Sequence, residues 1–384
     1  MTRRMIIVGA GPIGLCAAAS AVARGFDVTV LERGEVGEAL RRFGPTRFFT
    51  PLSMNLSRRA VELIGGAQPS EDAILTGPEM VERVLVPLAS SSALRDRIRT
   101  RHRVISIGRK GMSRYELSRH PLRAERRFRV LCDTDGGENI FEADYVLDAS
   151  GVYGQPQWLG AGGQPAMGER ALPGIIRSLG ELSDQLGSMA GKNILLIGHG
   201  HSAQNALGLL GELAVEHPST SICWAVRSAN TRPCAEVADD PLRERRTTVE
   251  RANRLAESPP DFLTIERKAS VEAISPGAPH SVRLSGDRTV LADVIVSLTG
   301  YRPDLSFLSE LAVDLSPSTE GAGPLARAIA SVTDCLSVPT VSAKELASGE
   351  PHFHLIGAKS YGRGRTFLLQ TGISQVESLL DSLG

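Results

Sequence analysis

Two segments of the chain share one order of apolar strand, glycine-rich turn and apolar helix. The first starts with the unbroken apolar run Met5–Val8, passes through the turn Gly9–Gly14, and continues as an alanine-rich stretch over residues 15–24. A second apolar run at residues 26–31 completes it. Short apolar runs are typical of parallel strands that are covered on both faces. The pattern predicts a βαβ unit of about thirty residues.

The same order returns in the second half of the chain. Residues 194–197 form an apolar run, and Gly198–Ala203 forms a second glycine-rich turn. A helical pattern over residues 204–213 then leads to an apolar run at residues 221–226. The chain therefore repeats one supersecondary unit, and the repeat is typical of proteins that bind two nucleotides.

Two later apolar runs, residues 145–148 and 294–297, predict one more strand for each unit. Together the elements predict an α/β fold of two Rossmann-like, three-layer dinucleotide-binding domains, with the second inserted into the first. We expect the first domain to comprise residues 1–170 and 305–384. The second is expected to comprise residues 171–304.

Composition narrows the possible partners and surroundings. Basic and acidic residues balance at 43 each, which argues against nucleic acid or a membrane surface as a partner. No apolar stretch is long enough to span a bilayer. The five cysteines form no C-x-x-C pair, which favours a reduced, cytoplasmic protein. The expected partner is a small-molecule substrate, and a homodimer is one assembly that stays open.

One stretch, residues 95–129, is rich in arginine and poor in acids. Two interpretations stay open for it. It forms either a solvated surface beside the first domain or a docking patch for an acidic substrate or protein.

The first turn has the spacing G-x-G-x-x-G, with glycines at 9, 11 and 14. These glycines permit a tight turn, close approach of a pyrophosphate, and close packing of helix on strand. The helix that follows offers free N–H groups to the phosphates. Glu32 ends the second strand, where a carboxylate accepts hydrogen bonds from a ribose without a 2′-phosphate. This unit therefore predicts a site for a dinucleotide whose adenosine has no 2′-phosphate, as in FAD or NAD.

The second turn differs from the first at two places. It carries Ala203 where the first carries Gly14, and its second strand ends at Arg227 rather than at an acid. A guanidinium at that place suits the 2′-phosphate of NADPH. The alternative is that Glu32 and Arg227 are ordinary exposed charges. The expected NADPH contacts are Gly198, Gly200, His201, Ser202, Ala203, Arg227 and Tyr301.

These turns, together with the segment Leu298–Tyr301, resemble the two-dinucleotide-binding flavoproteins, especially the flavin-containing monooxygenase superfamily. Leu298 replaces the alanine of that superfamily's A-T-G-Y segment, and Asp293 matches an aspartate of its N-hydroxylating members. The resemblance covers nearly the whole chain. It implies FAD in the first unit, NADPH in the second, and oxygenation of a small-molecule N, S or carbonyl centre through a C4a-(hydro)peroxyflavin.

The segment 49–58 resembles the one that this superfamily places beside the flavin. Within it, Asn55 matches the asparagine that helps to stabilise oxygenated flavin, and it is the candidate catalytic residue. A neutral amide suits that task because it donates a hydrogen bond without neutralising the oxygen's charge. The alternative is a turn asparagine that caps the next helix.

The segment 354–362 resembles the last flavin-contacting strand of such proteins, with Gly357–Ala358 where many disulfide reductases have G-D. We expect a helix to begin at Thr366–Phe367 and to direct its N-terminus at the flavin pyrimidine. The basic residues Lys359, Arg363 and Arg365 either assist there or are solvated loop charges. The expected FAD contacts are Gly9, Gly11, Pro12, Ile13, Gly14, Glu32, Arg33, Val104, Ser150, Gly151, Lys359, Thr366 and Phe367.

One departure from the superfamily leaves the fate of the electrons open. Residues 172–178 lie where the superfamily has F-x-G-x-x-x-H, and they lack both the aromatic residue and the histidine. An NADPH-dependent flavin reductase or dehydrogenase without oxygen insertion is therefore the alternative. A non-catalytic nucleotide sensor or accessory protein is an alternative from another class. His199 and His201 lack further donors in the sequence nearby, so no metal is expected.

Overall fold

The computed structural model describes residues 2–66, 68–118 and 120–383. The strands are β1 (Arg4–Val8), β2 (Asp27–Leu31), β3 (Ile98–Arg99), β4 (His102–Arg109), β5 (Phe128–Thr134), β6 (Gly137–Ala143), β7 (Tyr145–Asp148), β8 (Asn193–Ile197), β9 (Ser221–Ala225), β10 (Leu263–Glu266), β11 (Val271–Ser275), β12 (His280–Leu284), β13 (Arg288–Ala292), β14 (Val294–Ser297) and β15 (Phe353–Leu355). The helices are α1 (Pro12–Ala23), α2 (Glu38–Arg41), α3 (Arg58–Ile64), α4 (Gly77–Met80), α5 (Val86–Ala89), α6 (Leu179–Gln185), α7 (His201–Glu216), α8 (Arg243–Glu257), α9 (Gly323–Ala328), α10 (Ala358–Tyr361) and α11 (Leu369–Leu383).

The first sheet has the strand order β15-β7-β1-β2-β3, and its strands are parallel. The central strand β1 buries four consecutive apolar residues. Alternate side chains of β1 point to opposite faces: Ile7 packs into the core with α1 and α11, and Ile6 packs against β4 and β5. The domain is thus three layers, helices on one face and the antiparallel sheet β4-β5-β6 on the other.

The second sheet repeats this arrangement with the order β10-β9-β8-β14. Ile194 and Leu196 of β8 pack into the core with α6, α7 and α8, whereas Leu195 and Ile197 pack into a core with β11, β12 and β13. Both faces of β8 are covered, which explains why its sequence is apolar without alternation. The predicted α/β class with two Rossmann-like layered units is confirmed.

The chain leaves the first sheet after β7 and returns to it at β15. The outgoing segment and the returning segment pair with each other, because the Gln157 N–H donates to the Gly300 carbonyl at 2.9 Å and the Arg302 N–H donates to the Gln155 carbonyl at 2.8 Å. An antiparallel bridge joins Pro156 to Tyr301. The second sheet therefore lies between two strands of the first along the chain. The limits at residues 170 and 304 stay predictions.

Three helix starts differ from the expectation. Helices α1 and α7 begin at Pro12 and His201, three residues before the predicted starts, because each glycine turn is itself the first helical turn. Proline suits that first position since the N–H it lacks would have no helical partner. Helix α11 begins at Leu369 rather than at Thr366–Phe367. Among the described residues, no helix is both long and apolar enough to cross a membrane.

Candidate functional site

The turn after β1 is built on three glycines that do different things. Gly9 has φ of +102°, a conformation that side chains disfavour. A Cβ on Gly14 would overlap the Gly9 carbonyl oxygen, so only glycine lets α1 approach the turn this closely. A Cβ on Gly11 would meet no heavy atom within 4 Å. The Gly11 side of the turn is therefore open to a ligand, beside the free N–H groups at the start of α1.

Glu32 lies at the end of β2 and is nearly buried, with 9% of its surface exposed. One carboxylate oxygen accepts the Ala10 N–H at 2.7 Å, and the other accepts the Gly34 N–H at 3.0 Å. The carboxylate thus holds the turn in place. Each oxygen retains a lone pair, because a carboxylate has about four acceptor positions. Those positions suit ribose hydroxyls. Arg33 is exposed and lies against Gly154.

Three polar residues meet where β7 and β15 end. Lys359 is fully buried, and its Nζ lies 2.7 Å from a carboxylate oxygen of Asp148. The ammonium also donates to Ser150 Oγ at 2.9 Å, and Ser150 Oγ donates to Asp148 at 2.6 Å. Asp148 therefore neutralises Lys359, and the alternative that Lys359 is a solvated loop charge is wrong because the side chain is fully buried. Its contact with FAD stays a prediction. Gly151 follows with φ of +69°.

Two aspartates before the last strands have equivalent positions. Asp144 precedes β7 and accepts the Arg4 N–H at 2.9 Å, and Asp293 precedes β14 and accepts the Asn193 N–H at 2.8 Å. Each caps the first N–H of the strand that begins its unit. The resemblance of Asp293 to an aspartate of N-hydroxylating enzymes thus coincides with a structural role that Asp144 shares.

Asn55 is buried in the turn that follows residue 49, with 3% of its surface exposed. Its amide donates to the Thr50 carbonyl at 2.9 Å, and its amide oxygen accepts the Thr50 hydroxyl at 2.8 Å. Helix α3 is capped by Ser57, whose hydroxyl accepts the Ala60 N–H. The capping alternative for Asn55 is therefore wrong. Its amide closes the loop of residues 50–55 and retains one N–H without a partner among the described residues.

The basic segment after β15 is mostly neutralised. Arg363 pairs with Glu320 at 2.8 Å, and the ring of Tyr361 stacks edge-on with that of Phe367 at 5.4 Å. Arg365 is exposed and forms no ion pair with any described residue. Thr366 lies outside any helix or strand, three residues before α11.

Two further predicted FAD contacts lie in the core of the first domain. Ile13 fills the space between Gly357 and Gly372, so α1 and α11 meet at this point. Val104 is buried in the layer between β4 and the first sheet, which leaves its backbone as the group available to a ligand.

The second turn resembles the first in geometry. Gly198 has φ of +119°, and Gly200 has no heavy atom within 4 Å of an added Cβ. Ala203 is fully buried at the place of Gly14, and Ser202 lies in the first turn of α7. The Trp224 indole N–H donates to the Gly198 carbonyl at 2.6 Å and so holds the turn in place.

Two histidines, His199 and His201, lie within this second turn. The ring of His201 meets that of Phe49 edge-on, with 4.8 Å between the ring centroids. Each glycine turn, with the helix start and the strand-end residue beside it, is called a cradle below. A residue of the first domain thus touches the cradle of the second domain. Burial, followed by Arg245, lowers the pKa of His201. Burial and Arg227 lower the pKa of His199. Both rings are therefore neutral near pH 7.

Arg227 is exposed beyond the end of β9 and forms no ion pair within the described chain. The nearby Arg232, by contrast, is paired with Glu236 and Glu257. Tyr301 donates its hydroxyl to the Arg177 carbonyl at 2.8 Å and meets Tyr153 edge-on. Burial raises the pKa of Tyr153 to about 12. Tyr301 therefore has a structural partner at the crossing between the units.

The arginine-rich stretch is largely paired within the chain. Arg109 and Arg123 are fully buried around Glu350, and neighbouring bases pair with acids of the first domain. The solvated-surface interpretation thus describes part of it and misses the buried pair. Arg119, which belongs to this stretch, lies outside the described residues.

Sequence reasoning missed Asp148 and Phe49. No motif singles out Phe49, and only the meeting of β7 with β15 shows that Asp148 faces Lys359. Among the described residues, no group of three His, Cys, Asp or Glu side chains is arranged to hold a metal. Both cradles fit a dinucleotide: each has one open glycine, a free helix N-terminus, and a charged strand-end residue with capacity to bind.

The part of the chain that contains the first cradle matches a known family. Residues 6–83, which include the first cradle, match the model of the pyridine nucleotide-disulphide oxidoreductase family. A search of curated proteins finds no match by sequence.

Solved structures match the whole chain. Bacillithiol disulfide reductase from Bacillus cereus is similar with a TM-score of 0.73 at 17% identity, covering 100% of this chain and 99% of that one. Thioredoxin reductase from T. acidophilum gives 0.62 at 16%, with 100% of both chains covered. A flavin-containing monooxygenase from Stenotrophomonas maltophilia gives 0.61 at 18%, again with 100% of both. The chain therefore has the fold of these oxidoreductases, as its sequence predicted.

Proposed function

We propose that the chain is an oxidoreductase that binds FAD in the first cradle and NADPH in the second. The observation that carries this proposal is the opposite charge at two equivalent strand ends. Glu32 offers acceptor positions to ribose hydroxyls, and Arg227 offers an unpaired guanidinium to a phosphate. Both lie beside a turn with an open glycine.

The residues of the chain have four tasks in this function. The helix N-termini of α1 and α7 bind pyrophosphates through backbone N–H groups and their partial positive charge. Glu32 orients one ribose and Arg227 selects the phosphorylated one. The start of α11 favours negative charge on a group placed before it. Lys359 and Asp148 fix the loop after β7 without adding net charge. FAD, when bound, supplies the acceptance of hydride and its transfer onward.

For the fate of the electrons we propose oxygenation of a small-molecule N, S or carbonyl centre. Three features support it: the likeness of fold to a flavin-containing monooxygenase, the segment Leu298–Tyr301, and the buried amide of Asn55 with one free N–H. A donor held rigidly by Thr50 is preorganised to stabilise charge that develops on oxygen.

A second candidate is an NADPH-dependent reductase without oxygen insertion. The observation that favours it is that both ends of the Asn55 amide already bind Thr50, and the sequence lacks the histidine fingerprint at residues 172–178. A dithiol relay gains no support, because the five cysteines form no disulfide and burial raises the pKa of Cys16.

The test reduces the purified protein with one equivalent of NADPH without air, then mixes it with oxygen. Oxygenation predicts a delay before the oxidised flavin spectrum returns, with hydrogen peroxide released only as slowly as that spectrum returns. Immediate return with stoichiometric peroxide supports the reductase. Protein purified without flavin, and unable to take it up, would contradict the cofactor assignment itself.

A further inference from the structure

A cavity of about 270 Å³ lies between the first domain and two helices of the second. Its walls come from the loop that contains Arg47 and Phe49, from α7, and from α8. On α7 the lining residues include Asn205, Leu209 and Glu212, which lie four and three positions apart and so share one helix face. The cavity is separate from the glycine turns of both cradles, whose residues do not line it.

The lining carries charges of both signs that lack partners in the protein. Arg47 and Arg251 contribute guanidinium groups, and Glu212 and Glu244 contribute carboxylates. Within the described residues, none of the four takes part in an ion pair. Arg47 makes one hydrogen bond, to the Ile74 carbonyl. These four side chains therefore keep their charges available to a ligand in the cavity.

The helix opposite Arg251 is shaped to admit its side chain. Gly208 lies on α7, and a Cβ there would collide with the guanidinium of Arg251. Glycine within a helix costs about 1 kcal/mol relative to alanine, so its presence at a packing contact calls for a local reason. Here it lets a long, charged side chain of α8 lie flat against α7 and direct its head into the cavity region.

We propose that this cavity binds a small zwitterion, a molecule of amino-acid size with one ammonium and one carboxylate group. A carboxylate would pair with Arg251 or Arg47, and an ammonium with Glu212 or Glu244. The hydroxyl of Thr247 and the amide of Asn205 add neutral hydrogen-bonding groups. The volume lies just below the usual range for ligand pockets, about 300–1,000 Å³, which excludes a second dinucleotide.

The location gives such a ligand access to both domains. Phe49 lines the cavity and also touches His201 at the mouth of the second cradle. The loop of Phe49 continues directly into the turn that Thr50 and Asn55 close. Binding here would therefore connect the loop of Phe49 in the first domain to α7 in the second. The inference concerns binding alone and stands independently of the proposed cofactors.

The test measures thermal unfolding of the full-length protein with each of the twenty L-amino acids and diglycine in excess. Methylamine and acetate serve as probes with a single charge. A ligand that binds only the folded state raises the unfolding midpoint. We expect a rise with at least one zwitterion and none with methylamine or acetate. Flavin content is measured separately by absorbance, so loss of cofactor is not mistaken for loss of this site.

Four variants locate the effect. Arg251→Gln and Glu212→Gln should each weaken the bound zwitterion by about ten-fold or more, the worth of one charge-assisted contact. Arg254→Gln on α8 and Glu216→Gln on α7 are matched controls outside the lining and should bind as the wild type does. The proposal is overturned if no zwitterion shifts the midpoint, if the single-charge probes shift it equally, or if all four variants bind alike.

Discussion

The two cradles have the same backbone path and differ in how their strand-end residue is used. In the first, Glu32 is nearly buried and binds two backbone N–H groups of the turn itself. In the second, Arg227 is exposed and has no ion-pair partner among the described residues. The first turn also requires glycine at position 14, whereas the second accommodates Ala203 at the equivalent place.

The same turn is therefore bound into the fold more tightly in the first cradle than in the second. In the first cradle the residue that would recognise the ribose also holds the protein together. In the second, recognition depends on a side chain that the fold does not need. Substitution of Glu32 should therefore reduce stability and binding together, and substitution of Arg227 should change ligand preference alone.

The largest effect is expected from Gly14→Ala. The added Cβ overlaps the Gly9 carbonyl oxygen, which is backbone and cannot move aside cheaply, so we expect a loss of about 3 kcal/mol or more in unfolding free energy and loss of bound flavin. Denaturant unfolding and the flavin-to-protein absorbance ratio measure it. Gly11→Ala is the control, because its Cβ meets open space; it should fold normally and bind flavin weakly. A Gly14→Ala protein with wild-type stability would break the comparison.

Glu32→Gln should have the next largest effect. The amide keeps the shape but offers one oxygen, so one of the N–H groups of Ala10 and Gly34 loses its acceptor. We expect a loss of about 1–3 kcal/mol in stability together with weaker flavin binding. The measurement is the same pair of assays. If flavin affinity falls while stability stays at the wild-type value, Glu32 has only the ligand role and the proposed double role is wrong.

Arg227→Ala should change selectivity without changing stability. Loss of a charge-assisted contact to a phosphate should lower the ratio of kcat/KM for NADPH to that for NADH by about 10- to 100-fold. The unfolding midpoint should stay the same, because the side chain is exposed and unpaired. Arg232→Ala, which removes a guanidinium already bound to acids, is the matched control. Equal use of both nucleotides by the wild type would contradict the assignment.

The smallest effect concerns pH and the second cradle. The pKa of His201 is lowered by burial and by Arg245, so below about pH 6.5 the unfolded chain binds more protons than the folded one. Unfolding free energy should therefore fall as pH decreases from about 6.5 through the lowered pKa. His201→Gln should reduce this slope, as measured by urea unfolding at several pH values. His199, His352 and His354 shift the same way, so a residual slope is expected.

The nucleotide cradles could be read from the sequence because their causes are local. A glycine at position 14 and a charge at position 32 act within one βαβ unit of consecutive residues. The start of α11 could not be read so well. Its predicted start at Thr366 was three residues early. The chain turns after Tyr361, where the Gly364 N–H donates to the Tyr361 carbonyl at 2.9 Å, and it becomes helical only at Leu369, beyond the contact of Phe367 with Tyr361.

Apolar runs and glycine spacing are enough to predict the layered α/β fold, the two turns and the charged residues at the strand ends, because these features depend on the local backbone. Which partner each charged or aromatic side chain contacts is visible only in the tertiary structure. It paired Lys359 with Asp148, buried Arg109 and Arg123 around Glu350, and placed Phe49 on His201. These partners are far apart along the chain, and only the packing of the sheets and helices brings them within a few ångströms of each other. Whether a charge is free to bind a ligand depends on that distance.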